Sequence, residues 1–214
     1  MKIFLIRHGE TTANIGDNYI SRVPDHLVPL TDNGISQANS AGKWLAEYCV
    51  KNNINLENAR IWRSPYQRTR QTSDEFNKHL RIGSIREDIT LIEQQYGLFD
   101  AVPYESWEDV FPAAYKENQR LWNGQGKFFN RLPSGESPFD VAIRVHQFFG
   151  TIYRDYEKNN TTPLFIFTHG TTLRCFLLRW FHHTPEWYES EENPKNCAIR
   201  LIDEGRDAGY IYSE

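Results

Sequence analysis

Short apolar runs alternate along this chain with stretches of helical period, and that alternation restricts the fold more than any single residue does. Residues 2–7 form an apolar run at the very start. A helical period follows from Asp32 to about Lys51, with Ile35, Ala38, Gly42, Leu45 and Cys49 near one face and Thr31 or Asp32 placed to cap it. Residues 59–63 read as a brief strand. Ser64-Pro65 reads as the N-cap and first residue of a helix whose inner face is Tyr66, Thr69, Ser73, Phe76 and Leu80. Residues 85–92 read as a third strand. Ser137-Pro138 opens another capped helix, to about Tyr156, with Val141, Val145, Phe148, Phe149 and Ile152 inward. Residues 164–168 are the most strand-like run, residues 170–181 are helical, and residues 197–202 and 209–212 form a closing pair of strands. This pattern predicts an α/β fold with a largely parallel sheet.

The stretch 94–133 breaks the alternation. It is crowded with aromatic residues and weakly periodic, and reads as a lid insertion in a single domain spanning 1–214. Most of its rings are expected to form a small core of their own under a long connection. Tyr96 and Phe99, nearest Glu93, are the two expected to reach a pocket. With 39% hydrophobic residues and a net charge of −4, neither disorder nor a general nucleic-acid-binding surface is the expectation. No apolar run approaches the roughly 18 residues of a membrane span. The opening MKIFLI is too short for a secretory signal and meets Arg7 and His8 at once. Cys49, Cys175 and Cys197 are an odd count without a C-x-x-C, which suits buried thiols in a reducing compartment. A cytoplasmic protein that binds neither nucleic acid nor membrane is the expectation.

Three strands end in polar clusters. The first runs into Arg7-His8-Gly9-Glu10, the second into Arg63-Ser64 with Arg68 one turn on, and the strongest into Thr168-His169-Gly170. In an open parallel sheet the carboxyl ends of the strands share one rim, where ligands bind. Two histidines and two or three arginines should therefore meet there beside helix N-termini, a setting for a phosphate-sized dianion. Neutral imidazole is a competent nucleophile toward phosphorus, and guanidinium groups hold phosphoryl oxygens in a fork. A leaving oxygen also needs a proton. Glu93, just past the third strand, is the candidate donor, because a carboxyl near a phosphate anion should have a raised pKa. Glu87 and Asp88 are its rivals.

These residues resemble the signature of the histidine phosphatase (phosphoglycerate mutase-like) superfamily, branch 1 type. Arg7-His8-Gly9-Glu10-Thr11 with Asn14 carries the resemblance first. It continues through Leu30-Thr31-x-x-Gly34-x-x-Gln37-Ala38, Ser64-Pro65-x-x-Arg68-Thr69-x-Gln71-Thr72, Glu93 with Tyr96-Gly97, Gly135-Glu136-Ser137 and Thr168-His169-Gly170, in the family's order. The resemblance implies a three-layer α/β/α sandwich with the 94–133 stretch over the site. His8 would become phosphohistidine. Arg7, Arg68 and His169 would surround the transferred group, and Asn14 and the Gly170 backbone would add hydrogen bonds. Glu93 would donate a proton and then activate water. Glu10, Ser64 and Glu136 would support these groups from behind. Neither a metal nor an organic cofactor is implied.

Arg63 and Arg70 read as solvated or salt-bridged, Arg22 as a solvated loop residue, and His182-His183 as structural rather than metal-binding. Mutases of this superfamily place an arginine directly after the catalytic glutamate. Here Gln94 and Gln95 stand there, and the next cations are Lys116 and Arg120. That departure favours a phosphomonoester phosphatase over cofactor-dependent phosphoglycerate mutase-type phosphotransfer. A non-catalytic phospho-ligand-binding or scaffold protein is a third reading. The partner expected is a phosphorylated small molecule, with phosphoproteins as the other class, and the chain is read as a monomer or homodimer.

Overall fold

The computed structural model describes residues 1–15, 23–100 and 102–213. Arg22 lies outside them. Six strands form one sheet: β1 (Lys2–Arg7), β2 (Arg60–Arg63), β3 (Ile85–Glu87), β4 (Leu164–Thr168), β5 (Ile199–Asp203) and β6 (Arg206–Tyr212), in the order β3-β2-β4-β1-β5-β6. The pairs β3/β2, β2/β4 and β4/β1 are parallel, while β5 pairs with β1, and β6 with β5, antiparallel. The sheet is therefore mixed, with its parallel part where the polar clusters lie.

Both faces of the sheet are covered, which explains why the central strands read as unbroken apolar runs. Ile3, Leu5 and Ile166 pack into one layer with α5 (Pro138–Asn159) and α6 (Gly170–Trp180). Phe4, Ile6, Phe165 and Phe167 face the other way, onto α1 (Asp32–Lys51) and α2 (Gln67–Leu80). Thr31 caps α1, its hydroxyl accepting from Gly34 N at 2.9 Å, and Ser137 caps α5 in a reciprocal box with Asp140.

Three local expectations are corrected. Ser64-Pro65 does not start α2, which begins at Gln67 after Tyr66. Ser64 instead prolongs the parallel ladder, its N–H donating to Phe167 O at 3.0 Å. The third strand stops at Glu87 rather than Ile92, because the Asp88 carboxylate accepts from Thr90 N at 2.9 Å and turns the chain into a 3₁₀ turn over Ile89–Leu91. Ile35 sits on the solvent side of α1, while Gly34 and Ala41 join the buried face.

Between Glu93 and the start of α5 lie α3 (Trp107–Val110) and α4 (Pro112–Phe129), the latter interrupted by Gly126 at a φ of 79°. Within α4 only Asn118 and Phe128 are buried. A helix with one polar and one apolar buried residue has no apolar stripe to read, so its periodicity is weak. Phe99, Trp107 and Leu132 form a small core here, with Phe99 stacked on Trp107 at 4.1 Å.

Candidate active site

His8 and His169 follow neighbouring parallel strands, so their rings meet with centroids 5.2 Å apart. His8 continues the ladder, its N–H donating to Thr168 O at 3.1 Å. Both rings are buried. The bonds around them assign their protons. The Gly9 carbonyl can only accept, so the His8 Nδ1 contact at 2.7 Å puts the hydrogen on Nδ1 and leaves the lone pair on Nε2. His169 Nδ1 accepts from Arg68 Nε at 3.2 Å, so its Nε2 donates to Ser64 Oγ at 2.9 Å. Burial holds both imidazoles well below the usual histidine range, with Arg68 the next cause for each. Arg7 adds to this at His8, and His8 itself at His169. Both are neutral at neutral pH.

The loop carrying His8 is held by the remaining motif residues. Gly9 N donates to Thr72 Oγ1 at 3.0 Å, Glu10 N to Gln37 Oε1 at 3.0 Å, and Leu30 N to Gln71 Oε1 at 2.8 Å. The Glu10 carboxylate accepts from Thr31 Oγ1 and Asn33 Nδ2, tying the loop to the start of α1. Gly34 packs so closely on this loop that a Cβ there would lie 2.1 Å from Glu10 O. Asn14 lies beside this loop. Its Oδ1 accepts from Thr11 N at 3.0 Å and from Asn196 Nδ2 at 3.3 Å.

Glu93 meets the N-terminus of α6, where its carboxylate oxygens accept from Thr171 N and Thr172 N at 3.3 Å each. Gly170 opens that helix, and a Cβ on it would run into the Asn193 side chain. Behind Glu93 stands a residue that the sequence reading missed. Arg144, on α5, donates to the carbonyls of Thr90, Ile92 and Glu93 at 2.6, 2.9 and 3.1 Å. Glu136 anchors it through Oε1 at 2.9 Å and Oε2 at 3.1 Å, and also accepts from Gln95 N. The only signal for Arg144 was its place one helical turn past Asp140. Glu87, the rival of Glu93, pairs with Arg63 and Arg70. His183 stacks on Trp187 at 4.2 Å.

Arg7, His8, Asn14, Arg68 and Glu93 line one cavity of about 340 Å³, and His169 lies behind it. Arg7 donates to the Pro194 carbonyl, and burial lowers its pKa against the raising effect of Glu93. A second cavity of about 430 Å³ adjoins the first, sharing Tyr96, Tyr104 and Trp107. Tyr96 therefore reaches both, as do Tyr104 and Trp107 of the 94–133 stretch, which were expected among the rings of a separate small core. Burial and the Glu93 charge push the Tyr96 phenol up to about 12, so it stays protonated. The second cavity carries two cations that sequence did not locate, Lys127 and Arg174. Burial, then Arg174, lowers the Lys127 pKa, while Glu189 opposes the shift. Arg120, by contrast, pairs with Glu117 on the surface of α4.

A neutral imidazole flanked by the guanidinium groups of Arg7 and Arg68 thus lies at the rim of the parallel part of an α/β sheet. The chain belongs to the histidine phosphatase superfamily (branch 1), whose family model matches residues 3–212. It is 34% identical to a phosphoglycerate mutase-like protein of Arabidopsis thaliana, over 98% of this chain and 66% of that protein. It is 24% identical to a broad-range acid phosphatase of Saccharomyces cerevisiae, over 94% of this chain and 84% of the other. The fold matches the alpha-ribazole phosphatase from Shigella flexneri with a TM-score of 0.75 at 19% identity, covering 100% of this chain and 96% of the other. It matches mycobacterial glucosyl-3-phosphoglycerate phosphatase with inorganic phosphate at 0.71 and 18%, covering 99% and 97%. Among the described residues no helix is long and apolar enough to cross a membrane.

Proposed function

We propose that this chain is a phosphomonoester phosphatase that works through a phosphohistidine on His8, with a phosphorylated small molecule as substrate. The observation that carries this reading is the 2.7 Å contact between His8 Nδ1 and Gly9 O, which leaves the Nε2 lone pair available in a cavity flanked by Arg7 and Arg68. In the first step that lone pair forms the N–P bond. The P–O ester bond breaks toward the leaving oxygen, which takes a proton from the Glu93 carboxyl. In the second step water attacks phosphorus, Glu93 takes its proton, and the N–P electrons return to Nε2. Arg7 and Arg68 stabilise the charge on the equatorial oxygens, where phosphoryl transfer needs it most. His169, placed by Ser64 and Arg68, lies against the same group. The adjoining cavity is the seat for the leaving group, with Tyr104 and Trp107 between the two spaces.

The test is an acid-sensitive phosphate count on rapidly quenched protein during turnover of 4-nitrophenyl phosphate. Wild type should carry label, and His8→Ala should carry none while losing at least about a thousandfold in kcat. Label retained by His8→Ala refutes the reading. Lys127 and Arg174 beside the leaving-group seat favour one second reading, mutase-type transfer to a small phosphoacid. Isomerisation of 3-phosphoglycerate with a bisphosphoglycerate primer, without phosphate release, would select it.

A further inference from the structure

Arg68 is not free to form the phosphate fork expected of it. Its Nε donates to His169 Nδ1. Its Nη1 donates to the Asp25 backbone carbonyl at 2.8 Å and to Asp25 Oδ1 at 2.9 Å, and its Nη2 to Asp25 Oδ2 at 3.1 Å. Those bonds use all but one of the N–H donors of a guanidinium. One face of the same group lies over the Tyr66 ring at 4.8 Å. Arg68 is almost wholly buried, while the Asp25 side chain on its edge is 34% exposed toward the cavity. Arg7, the other cation of the cradle, differs: among the described residues it makes no ion pair with a carboxylate.

Asp25 belongs to a short 3₁₀ turn, Asp25–Leu27, between β1 and α1. It lines the His8 cavity together with Asp100 and Glu93. The groups facing it are Arg68 from α2, Tyr66 just before that helix, and Asp100 and Tyr96 from the segment after Glu93. Asp100 is a like charge, so Arg68 is the one cation that holds the Asp25 carboxylate in place among the described residues. A bidentate carboxylate on a guanidinium has the geometry that two phosphoryl oxygens would adopt there.

We propose that Asp25 is an internal anion occupying the phosphoryl-binding edge of Arg68, and that substrate binds by exchange: the Asp25 carboxylate leaves the guanidinium as two phosphoryl oxygens take its place. This rests on the reading of the cradle as a phosphoryl site. Asp25 then sets how strongly a phosphoester must bind to open the site, and weakly bound anions are held off by the same contact. The exchange forms and breaks only hydrogen bonds and an ion pair, so no proton or electron changes owner.

The experiment is calorimetric titration of inorganic phosphate, at one pH and ionic strength, into wild type, Asp25→Asn, Asp25→Ala, Arg68→Met and the Asp25→Ala/Arg68→Met double variant. Circular dichroism checks that each is folded. Neutralising Asp25 replaces a charge-assisted competitor with a weaker one or none, so phosphate should bind about tenfold tighter or more to both Asp25 variants. That gain should vanish in the double variant, because it acts through Arg68. Equal or weaker phosphate binding in both Asp25 variants overturns the proposal, as does a gain that persists without Arg68. If Arg68→Met binds phosphate as tightly as wild type, or none of the five proteins binds it, the cradle reading itself falls.

Discussion

The Arg144–Glu136 pair should contribute to both stability and turnover, through the segment that carries Glu93. Arg144→Met removes a guanidinium that is largely buried and donates to three carbonyls and one carboxylate. Hydrogen bonds to a charged group contribute roughly 1.5–3 kcal/mol each. The three carbonyl bonds alone would then sum to roughly 5–9 kcal/mol, an upper bound because this segment borders solvent and water can replace part of them. Breaking a buried ion pair by removing one partner costs about 3–5 kcal/mol, and we take that as the expected loss. Urea unfolding should show it as a lowered midpoint at unchanged slope. Glu136→Gln keeps an acceptor for Arg144 and should cost less, about 1–2 kcal/mol. The two changes should couple by at least about 1 kcal/mol in a double-mutant cycle, since they share one network. At urea concentrations where it remains folded, Arg144→Met should lower kcat more than it raises KM, because it misplaces the proton donor rather than the phosphoryl cradle. A loss below about 1 kcal/mol, with kcat intact, would refute the clamp.

Glu93→Gln should lower kcat/KM, which reports the step that expels the leaving group, by about 10²–10⁴ with an alkyl phosphate, and much less with 4-nitrophenyl phosphate, whose leaving group needs no proton. Equal losses on both substrates would remove Glu93 as the acid. His8 and His169 both have folded pKa values depressed below 6.5, so the unfolded chain binds the extra protons. Their stabilisation is full above that pH and is lost as pH falls through their folded values. Urea midpoints between pH 7.5 and 5 should therefore decline, and His169→Gln should flatten the decline. Gly34→Ala forces a Cβ against Glu10 O, so the melting temperature and kcat should fall together. A variant with the wild-type melting temperature would show that the loop can shift at no cost. Lys127→Met should raise KM for phosphoesters with large anionic leaving groups and leave 4-nitrophenyl phosphate nearly unaffected. Identical KM ratios across a substrate panel would disconnect the second cavity from specificity.

Sequence alone determined the elements whose cause is local. The period of α1, the cap of α5 at Ser137 and the apolar run of β4 depend on near neighbours and were readable as such. The polar tails of β1, β2 and β4 were readable too, because parallel strands deliver their carboxyl ends to one rim. The end of β3 at Glu87 was not, since a single Asp88 side chain outweighed the strand propensity around it. Nor was α4, whose buried face is Asn118 and Phe128. What tertiary structure decided is which partner each charge takes. Asp25 lies 43 residues from Arg68 and Glu136 lies 41 from Gln95, separations at which spacing carries no signal. An ion pair is set by where two chain segments pack, so the electrostatics of the cradle belong to the fold, while the inventory of groups that can enter it belongs to the sequence.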